Sequence, residues 1–270
     1  MTLNDAINEL RKAGVDSPEH DARALFASVG GFKSYELVNR QLTLPDEQIR
    51  PLVERRKERE PLQYVIGKVS FYRESYTVTP ACLIPREDTE ILVDYAVKNL
   101  PSGALFADLC TGSGCIAIST LKNTEKTRAI ALDISVDALE VAKKNAETNG
   151  VSDRIEFKAA DVMSFTPSEE LYAVLSNPPY VTEAEYELLA PELYKEPKIA
   201  FVGGSDGLDF YKRIIPANIP YLSRDGFFAL EIGKDQAEAL TEIASANGMT
   251  ARIINDYSGN PRLAVLKFPE

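Results

Sequence analysis

An apolar run, Leu171-Tyr172-Ala173-Val174-Leu175, leads directly into Ser176-Asn177-Pro178-Pro179-Tyr180. The run has the length of a buried parallel strand, so Asn177 and the prolines fall at its carboxyl end, where open α/β sheets bind ligands. Pro178 and Pro179 stop the strand and remove two N–H donors while leaving their carbonyls free. What remains is a rigid rim of acceptors: the Asn177 side-chain oxygen and the Pro178 carbonyl, with the Tyr180 ring beside them. Such a rim suits a planar NH₂ group, whose two hydrogens it can hold while the ring packs on the flat face. An amide nitrogen is a poor nucleophile, because resonance worth roughly 18–20 kcal/mol in rotation barrier ties up its lone pair. Acceptors on both N–H bonds return density to nitrogen and aim the lone pair out of the plane. The chemistry implied is displacement at an electrophilic carbon, such as a methyl carried on a sulfonium. Asn-Pro-Pro is equally a competent turn, so this reading needs a second half of the site upstream.

That half lies in an alternation of strands and helices. Ala104 to Leu109 reads as a strand, followed by Cys110-Thr111-Gly112-Ser113-Gly114 and a helix from Cys115 to Leu121. Glycines there let the backbone turn tightly and approach a ligand at the helix start, although a Gly-rich turn alone is a weak signal. Arg128 to Asp133 is a second strand ending in an acid 19 residues beyond Gly114, where α/β nucleotide sites place the carboxylate that grips ribose hydroxyls. A helix from Val136 to Thr148 stops at Asn149-Gly150, and a strand over Arg154 to Lys158 is followed by Asp161. After the strand at Leu171 to Ser176 come another at Gly226 to Ile232, a helix from Lys234 to Asn247, and strands at Met249 to Ile254 and Arg262 to Phe268. The last two suit an antiparallel pair. The sum is an α/β fold with a seven-stranded sheet. A nicotinamide dehydrogenase would share its first half, but the loop lacks the G-x-G-x-x-G spacing and nothing is placed to handle a hydride.

The elements before this core differ in kind. Helical spacing recurs from Thr2 to Gly14, from Pro18 to Gly30-Gly31, from Ser34, and from Pro45 through the charged run ending at Glu60, which describes a small helical bundle over residues 1–62. Residues 63–82 read as a β-hairpin linker, with Val69 to Tyr72 and Tyr76 to Thr79 alternating. A helix from about Ile91 to Leu100 follows, with Asp88 or Thr89 as its cap; carboxylates there serve either as ordinary caps or as a lid over a cationic ligand. The main domain spans residues 83–270.

Composition bounds the function. The 270 residues are 44% hydrophobic and carry a net charge of −11. Residues 1–80 hold 12 Lys+Arg and 12 Asp+Glu, leaving 18 and 29 of the totals of 30 and 41 for the rest, so the whole excess lies in the α/β part. An acidic domain is a poor match for phosphate backbones, which argues against direct nucleic-acid binding and leaves a protein partner open. Three cysteines, Cys82, Cys110 and Cys115, and one histidine, His20, offer neither a disulfide framework nor a metal site. No apolar run reaches membrane-span length and no secretory signal is visible, so a cytoplasmic location is expected, and nothing demands more than a monomer.

The Asp108-Leu109-Cys110-Thr111-Gly112-Ser113-Gly114 loop, Asp133, Asp161 and Asn177-Pro178-Pro179-Tyr180, in this order, resemble a class I S-adenosylmethionine-dependent amino-methyltransferase of Rossmann-like fold. Pro61-Leu62-Gln63-Tyr64 with Gly67, Leu83-Ile84-Pro85-Arg86 with Thr89-Glu90, and Glu196-Pro197 followed by Gly203 to Tyr211 are similar to the HemK/PrmC family, which methylates the side-chain amide nitrogen (N5) of the glutamine in the Gly-Gly-Gln motif of peptide chain release factors. The resemblance implies S-adenosyl-L-methionine as cofactor, a release factor as partner in translation termination, and the N-terminal bundle as the part that recognises it. It further implies that Asp108 and Cys110 to Gly114 surround the methionine part, that Asp133 holds the ribose, and that Asp161 with Val162 borders the adenine. Asn177 and Pro178 would orient the glutamine amide, with Pro179 and Tyr180 completing its pocket. Asn-Pro-Pro-Tyr alone does not separate this family from adenine-N6 methyltransferases. Two features depart from the family's pattern: Cys110 stands where a glycine is usual, and Glu87-Asp88-Thr89-Glu90 stands where the family often has Pro-Glu-Thr-Glu.

Overall fold

A computed structural model describes residues 1–38 and 41–269. It divides into two compact units, one of Met1–Lys68 with Ala190–Lys195, the other of Val69–Leu189 with Glu196 onward. The sequence reading ends the bundle at residue 62 and begins a linker at 63. In the structure the helical unit continues to Lys68 through one more short helix, because Leu62, Tyr64 and Val65 are buried and Gly67 closes the turn at a φ of 78°.

The first unit contains α1 (Leu3–Lys12), α2 (Pro18–Gly30), α3 (Asp46–Lys57) and α4 (Leu62–Ile66). Thr2 and Asp5 form a reciprocal capping box that starts α1, and Gly31 ends α2 in the left-handed conformation. Leu10, Leu25, Phe26, Ile49 and Val53 pack at its centre. Ser34–Leu37, expected to begin a helix, is a single 3-10 turn that ends where Val38 becomes extended. Within this unit the Arg56 guanidinium is buried between Asp21, at 2.7 Å, and Glu192, at 3.2 Å.

The second unit opens on the two-stranded sheet of β1 (Lys68–Phe71) and β2 (Glu74–Thr77), continues with α5 (Glu90–Asn99), and then alternates β3 (Leu105–Leu109), α6 (Cys115–Lys122), β4 (Arg128–Asp133), α7 (Val136–Asn149), β5 (Ile155–Ala159) and β6 (Leu171–Ser176). After the one-turn α8 (Glu183–Tyr186) come α9 (Asp209–Asn218), β7 (Leu222–Glu231), α10 (Ala237–Ala246), β8 (Thr250–Asn255) and β9 (Pro261–Lys267). The main sheet has the order β5-β4-β3-β6-β7-β9-β8, parallel through β7 and antiparallel at β9 and β8. The sheet is the expected seven-stranded α/β arrangement.

Burial on both faces explains the unbroken apolar strands. Phe106, Ala131, Leu175 and Phe227 pack with Leu92, Ile118 and Ala146 on one side; Ala107, Leu132, Val174 and Phe228 pack with Tyr211, Ile215 and Leu240 on the other. Strand order reverses between β3 and β6, and the loops leaving those two strands bound the crevice where such sheets place ligands.

Candidate active site

Four loops at the carboxyl ends of adjacent parallel strands converge. The loop after β3 is pinned by the Thr111 N–H on the Leu132 carbonyl, at 2.8 Å. Its Gly112 N–H donates to Asp133 Oδ2 and the Ser135 N–H to Asp133 Oδ1, each at 2.9 Å. Burial pushes the Asp133 carboxyl up, and these backbone donors partly restore its ionisation. Cys110 holds a left-handed φ of 61°, a conformation that costs a residue bearing a Cβ about 1–2 kcal/mol, which accounts for glycine being usual there. Asn145 is buried on α7; its Nδ2 donates to the Ser113 carbonyl at 2.9 Å and to the Thr77 carbonyl at 3.0 Å, and its Oδ1 accepts the Thr77 N–H at 2.8 Å. It thereby fastens β2 to the glycine loop.

A cleft with about 720 Å³ of open space is lined by Cys110, Gly112, Asp133, Ile134, Asp161, Val162, Asn177 and Phe210, among others. A hollow of about 570 Å³ is lined by Leu83, Arg86, Asn177, Tyr180, Phe201 and Glu231. A smaller space takes in Thr89, Thr111, Gly112, Ser113 and Asn177. Asn177 and Leu83 line all three, so the carboxamide stands where cleft and hollow meet. Pro179 borders the cleft, whereas Pro178 is buried and lines none of them. Gly114 lines none either: a Cβ there would sit 2.9 Å from Ile118 and 3.1 Å from Ala142, so this glycine lets α6 and α7 pack closely.

The acceptor rim is held from behind. The Val181 N–H donates to the Phe201 carbonyl at 2.8 Å and the Gly203 N–H to the Val181 carbonyl at 2.9 Å. A Cβ on Gly203 would lie 2.3 Å from the Pro179 carbonyl oxygen, and one on Gly207 2.2 Å from that of Tyr180, so the glycines of residues 203–207 let this stretch press against the Pro-Pro-Tyr backbone. Gln236 Nε2 donates to the Tyr180 carbonyl at 3.1 Å. The Pro178 carbonyl and Asn177 Oδ1 accept no hydrogen bond among the described residues.

Thr89 does not cap α5 with its side chain, as the sequence suggested; its hydroxyl turns inward, donating to Glu231 Oε2 at 2.6 Å and accepting from Asn177 Nδ2 at 3.2 Å. Asp88 pairs with Arg262 at 3.4 Å, and Glu90 accepts the Tyr72 N–H at 2.6 Å. The sequence reading gave Thr89 only as a cap and a motif position and Phe210 only as a motif position, and it gave Glu231 and Ile134 no role in the site. Ile134 had one usable signal, a large apolar residue directly after the strand-end acid, and it is left 54% exposed.

Comparison with known proteins matches residues 2–67 to the PrmC N-terminal domain and residues 87–198 to the Methyltransferase small domain. Release factor glutamine methyltransferase of Geobacter sulfurreducens is 36% identical over 88% of this chain and 85% of its own, and that of Moorella thermoacetica is 34% identical over 97% and 95%. The chain belongs to the release factor glutamine methyltransferase family. A ribosomal protein L11 methylase from Lactobacillus delbrueckii subsp. bulgaricus, at 17% identity and a TM-score of 0.53 over 72% of this chain and 84% of that one, shares the fold.

As a member of this family the chain is a methyltransferase using S-adenosylmethionine, and its residues fit that cofactor. The Asp133 carboxylate lines the cleft, where it would accept from ribose hydroxyls, and Asp161, with Oδ1 held by the Met163 N–H at 2.9 Å, lines it together with Val162. Asp108 lies beneath the loop, fully buried; its Oδ2 accepts from the Thr111 hydroxyl at 2.6 Å and the Ala117 N–H at 3.1 Å, while Oδ1 has no partner among the described residues. A cationic amino group at this loop would satisfy that oxygen. Desolvation pushes the Asp108 carboxyl up to about 7.

Proposed function

We propose that this protein transfers the methyl group of S-adenosylmethionine to the side-chain amide nitrogen (N5) of the glutamine in the Gly-Gly-Gln motif of a peptide chain release factor. The observation that carries the reading is Asn177 Oδ1, an acceptor without a partner among the described residues, at the junction of a nucleoside-sized cleft and a separate hollow, with the Pro178 carbonyl, likewise without a partner there, next in the chain. The cofactor supplies a methyl already activated on a sulfonium. The protein's own work is then positional: the two acceptors hold the amide hydrogens, and Tyr180 and Pro179 limit the directions of approach. Holding nitrogen and methyl carbon in line, so that the N–C bond would form as the C–S bond breaks, contributes within the roughly 7–11 kcal/mol that orientation can supply, and one amide proton would be lost to water after transfer.

The match of residues 2–67 to the PrmC N-terminal domain supports release-factor recognition by the helical unit. The net charge of −11 favours a protein over a nucleic-acid substrate. A substrate used in translation termination supports a cytoplasmic location; among the described residues no helix is long and apolar enough to cross a membrane.

The test is label transfer from methyl-labelled S-adenosylmethionine to a release factor, to its Gln→Ala variant, or to DNA. Label confined to the intact release factor is the expected outcome; label in DNA, or in the Gln→Ala variant, would overturn the assignment.

A further inference from the structure

We propose that Glu231 is a positioning residue that sets the polarity of the acceptor rim, fixing through the Thr89 hydroxyl which end of the Asn177 carboxamide faces the substrate. The two ends of a carboxamide have nearly the same shape, so only hydrogen bonds decide its orientation. Thr89 has one hydroxyl hydrogen. A carboxylate accepts and never donates, so that hydrogen goes to Glu231 Oε2, 2.6 Å away. The Thr89 oxygen can then only accept, and it takes Asn177 Nδ2 at 3.2 Å. Asn177 Oδ1 is left to face the cavities. The other carboxylate oxygen does the same to Tyr180, whose hydroxyl donates to Glu231 Oε1 at 3.1 Å. One carboxylate thus takes the Tyr180 hydroxyl hydrogen directly and, through Thr89, one hydrogen of the Asn177 carboxamide, so that Asn177 turns its acceptor oxygen to the hollow.

The arrangement is sheltered. Glu231 and Thr89 are 3% and 2% exposed, so water does not compete for these bonds. Burial raises the Glu231 carboxyl, while the Thr89 hydroxyl and the Arg262 charge favour its ionised form. Arg262 is itself paired with Asp88 and Asp256, each at 3.4 Å. Replacing Glu231 by glutamine keeps the shape but lets residue 231 donate, which frees the Thr89 hydrogen to point at Asn177 and allows the carboxamide to turn over.

This inference rests on the acceptor being a glutamine carboxamide, so the wild-type protein and release factor form the control arm; absence of label there would defeat that assignment rather than this one. In Glu231→Gln, kcat should fall at least ~10-fold, the loss of one oriented hydrogen bond, while the cofactor Kd stays within about threefold of wild type. Thr89→Val should lose as much, Thr89→Ser should recover most of it, and the double variant Glu231→Gln/Thr89→Val should be no worse than either single one. The decisive readout is ligand preference. A release factor with glutamate in place of the target glutamine should inhibit Glu231→Gln more strongly, relative to its KM for the normal substrate, than it inhibits wild type, because a turned-over Asn177 offers a donor. Wild-type kcat in Glu231→Gln, or a loss of kcat with the glutamine-to-glutamate preference unchanged, would overturn the proposal.

Discussion

The Glu196 carboxylate accepts the Ile84 N–H at 2.9 Å, across 112 residues of sequence, and its other oxygen holds the Arg86 guanidinium. The stretches it joins, around Leu83 and around Pro197 to Ala200, both line the cleft. Glu196→Ala leaves a buried N–H and a guanidinium without their acceptor, so it should lower unfolding free energy by about 2–3 kcal/mol and weaken cofactor binding. Glu196→Gln keeps an acceptor for Ile84 and should lose about half as much. Denaturant titration of the three proteins checks the order.

Asp133→Ala should weaken S-adenosylmethionine binding on the order of 10- to 100-fold, the scale of hydrogen bonds to a charged group. It also deprives the Gly112 and Ser135 N–H groups of their acceptor, so Asp133→Asn, which keeps one, should bind more tightly than the alanine variant. Calorimetric titration separates the two.

Asp108 should give the free protein an unusual response to pH. Unfolded, its carboxyl ionises near 3.8; folded, it ionises near 7. The folded state therefore holds a proton that the unfolded state has lost across that window, and this group's contribution to stability falls as pH rises from about 4 to about 7, by an upper bound of about 4 kcal/mol. Asp108→Asn cannot ionise, so its stability relative to wild type should be better at pH 8 than at pH 5. A relative stability that does not change with pH would refute the shift.

Gly203→Ala places a methyl 2.3 Å from the Pro179 carbonyl oxygen and 2.9 Å from Tyr180 Cα. The backbone must move, at about 1–3 kcal/mol, and the acceptor rim moves with it. Methyl transfer should fall more than cofactor affinity, as a comparison of single-turnover rates with cofactor Kd would show.

Asn177→Ala removes one of the two acceptors without touching Asp133. Methyl transfer should fall by about 3 kcal/mol, the scale of losing one preorganised hydrogen bond in a dry site, with cofactor binding retained. Full activity in that variant would refute the amide clamp.

The sheet was legible because its strands are buried on both faces and so read as apolar runs, and Asp133 and Asn177 were legible because each ends such a run. Glu231 also ends a strand, yet it read only as the last polar residue of an apolar run, because its partners Thr89 and Tyr180 lie 142 and 51 residues away. Thr89 sits at a helix start, where local propensity argues for a cap. The inward turn of its hydroxyl is a tertiary choice that no local pattern encodes. Gly203 and Gly207 could be matched to a family but not explained, since the atoms that exclude a side chain there belong to Pro179 and Tyr180. The end of the bundle was misjudged because α4 is only five residues long and carries no repeat of its own.

Residues 190–195 pack with the helical unit although the chain on either side of them belongs to the sheet unit, so the polypeptide passes between the two after Lys68, after Leu189 and after Lys195. Neither unit is therefore a cassette that a single splice could exchange with a relative's. A fragment stopping at Lys68 would surrender Glu192 and leave the Arg56 guanidinium, 8% exposed, with Asp21 as its one remaining counter-charge among the described residues. A graft of the bundle between homologues has to carry this six-residue insert along with it.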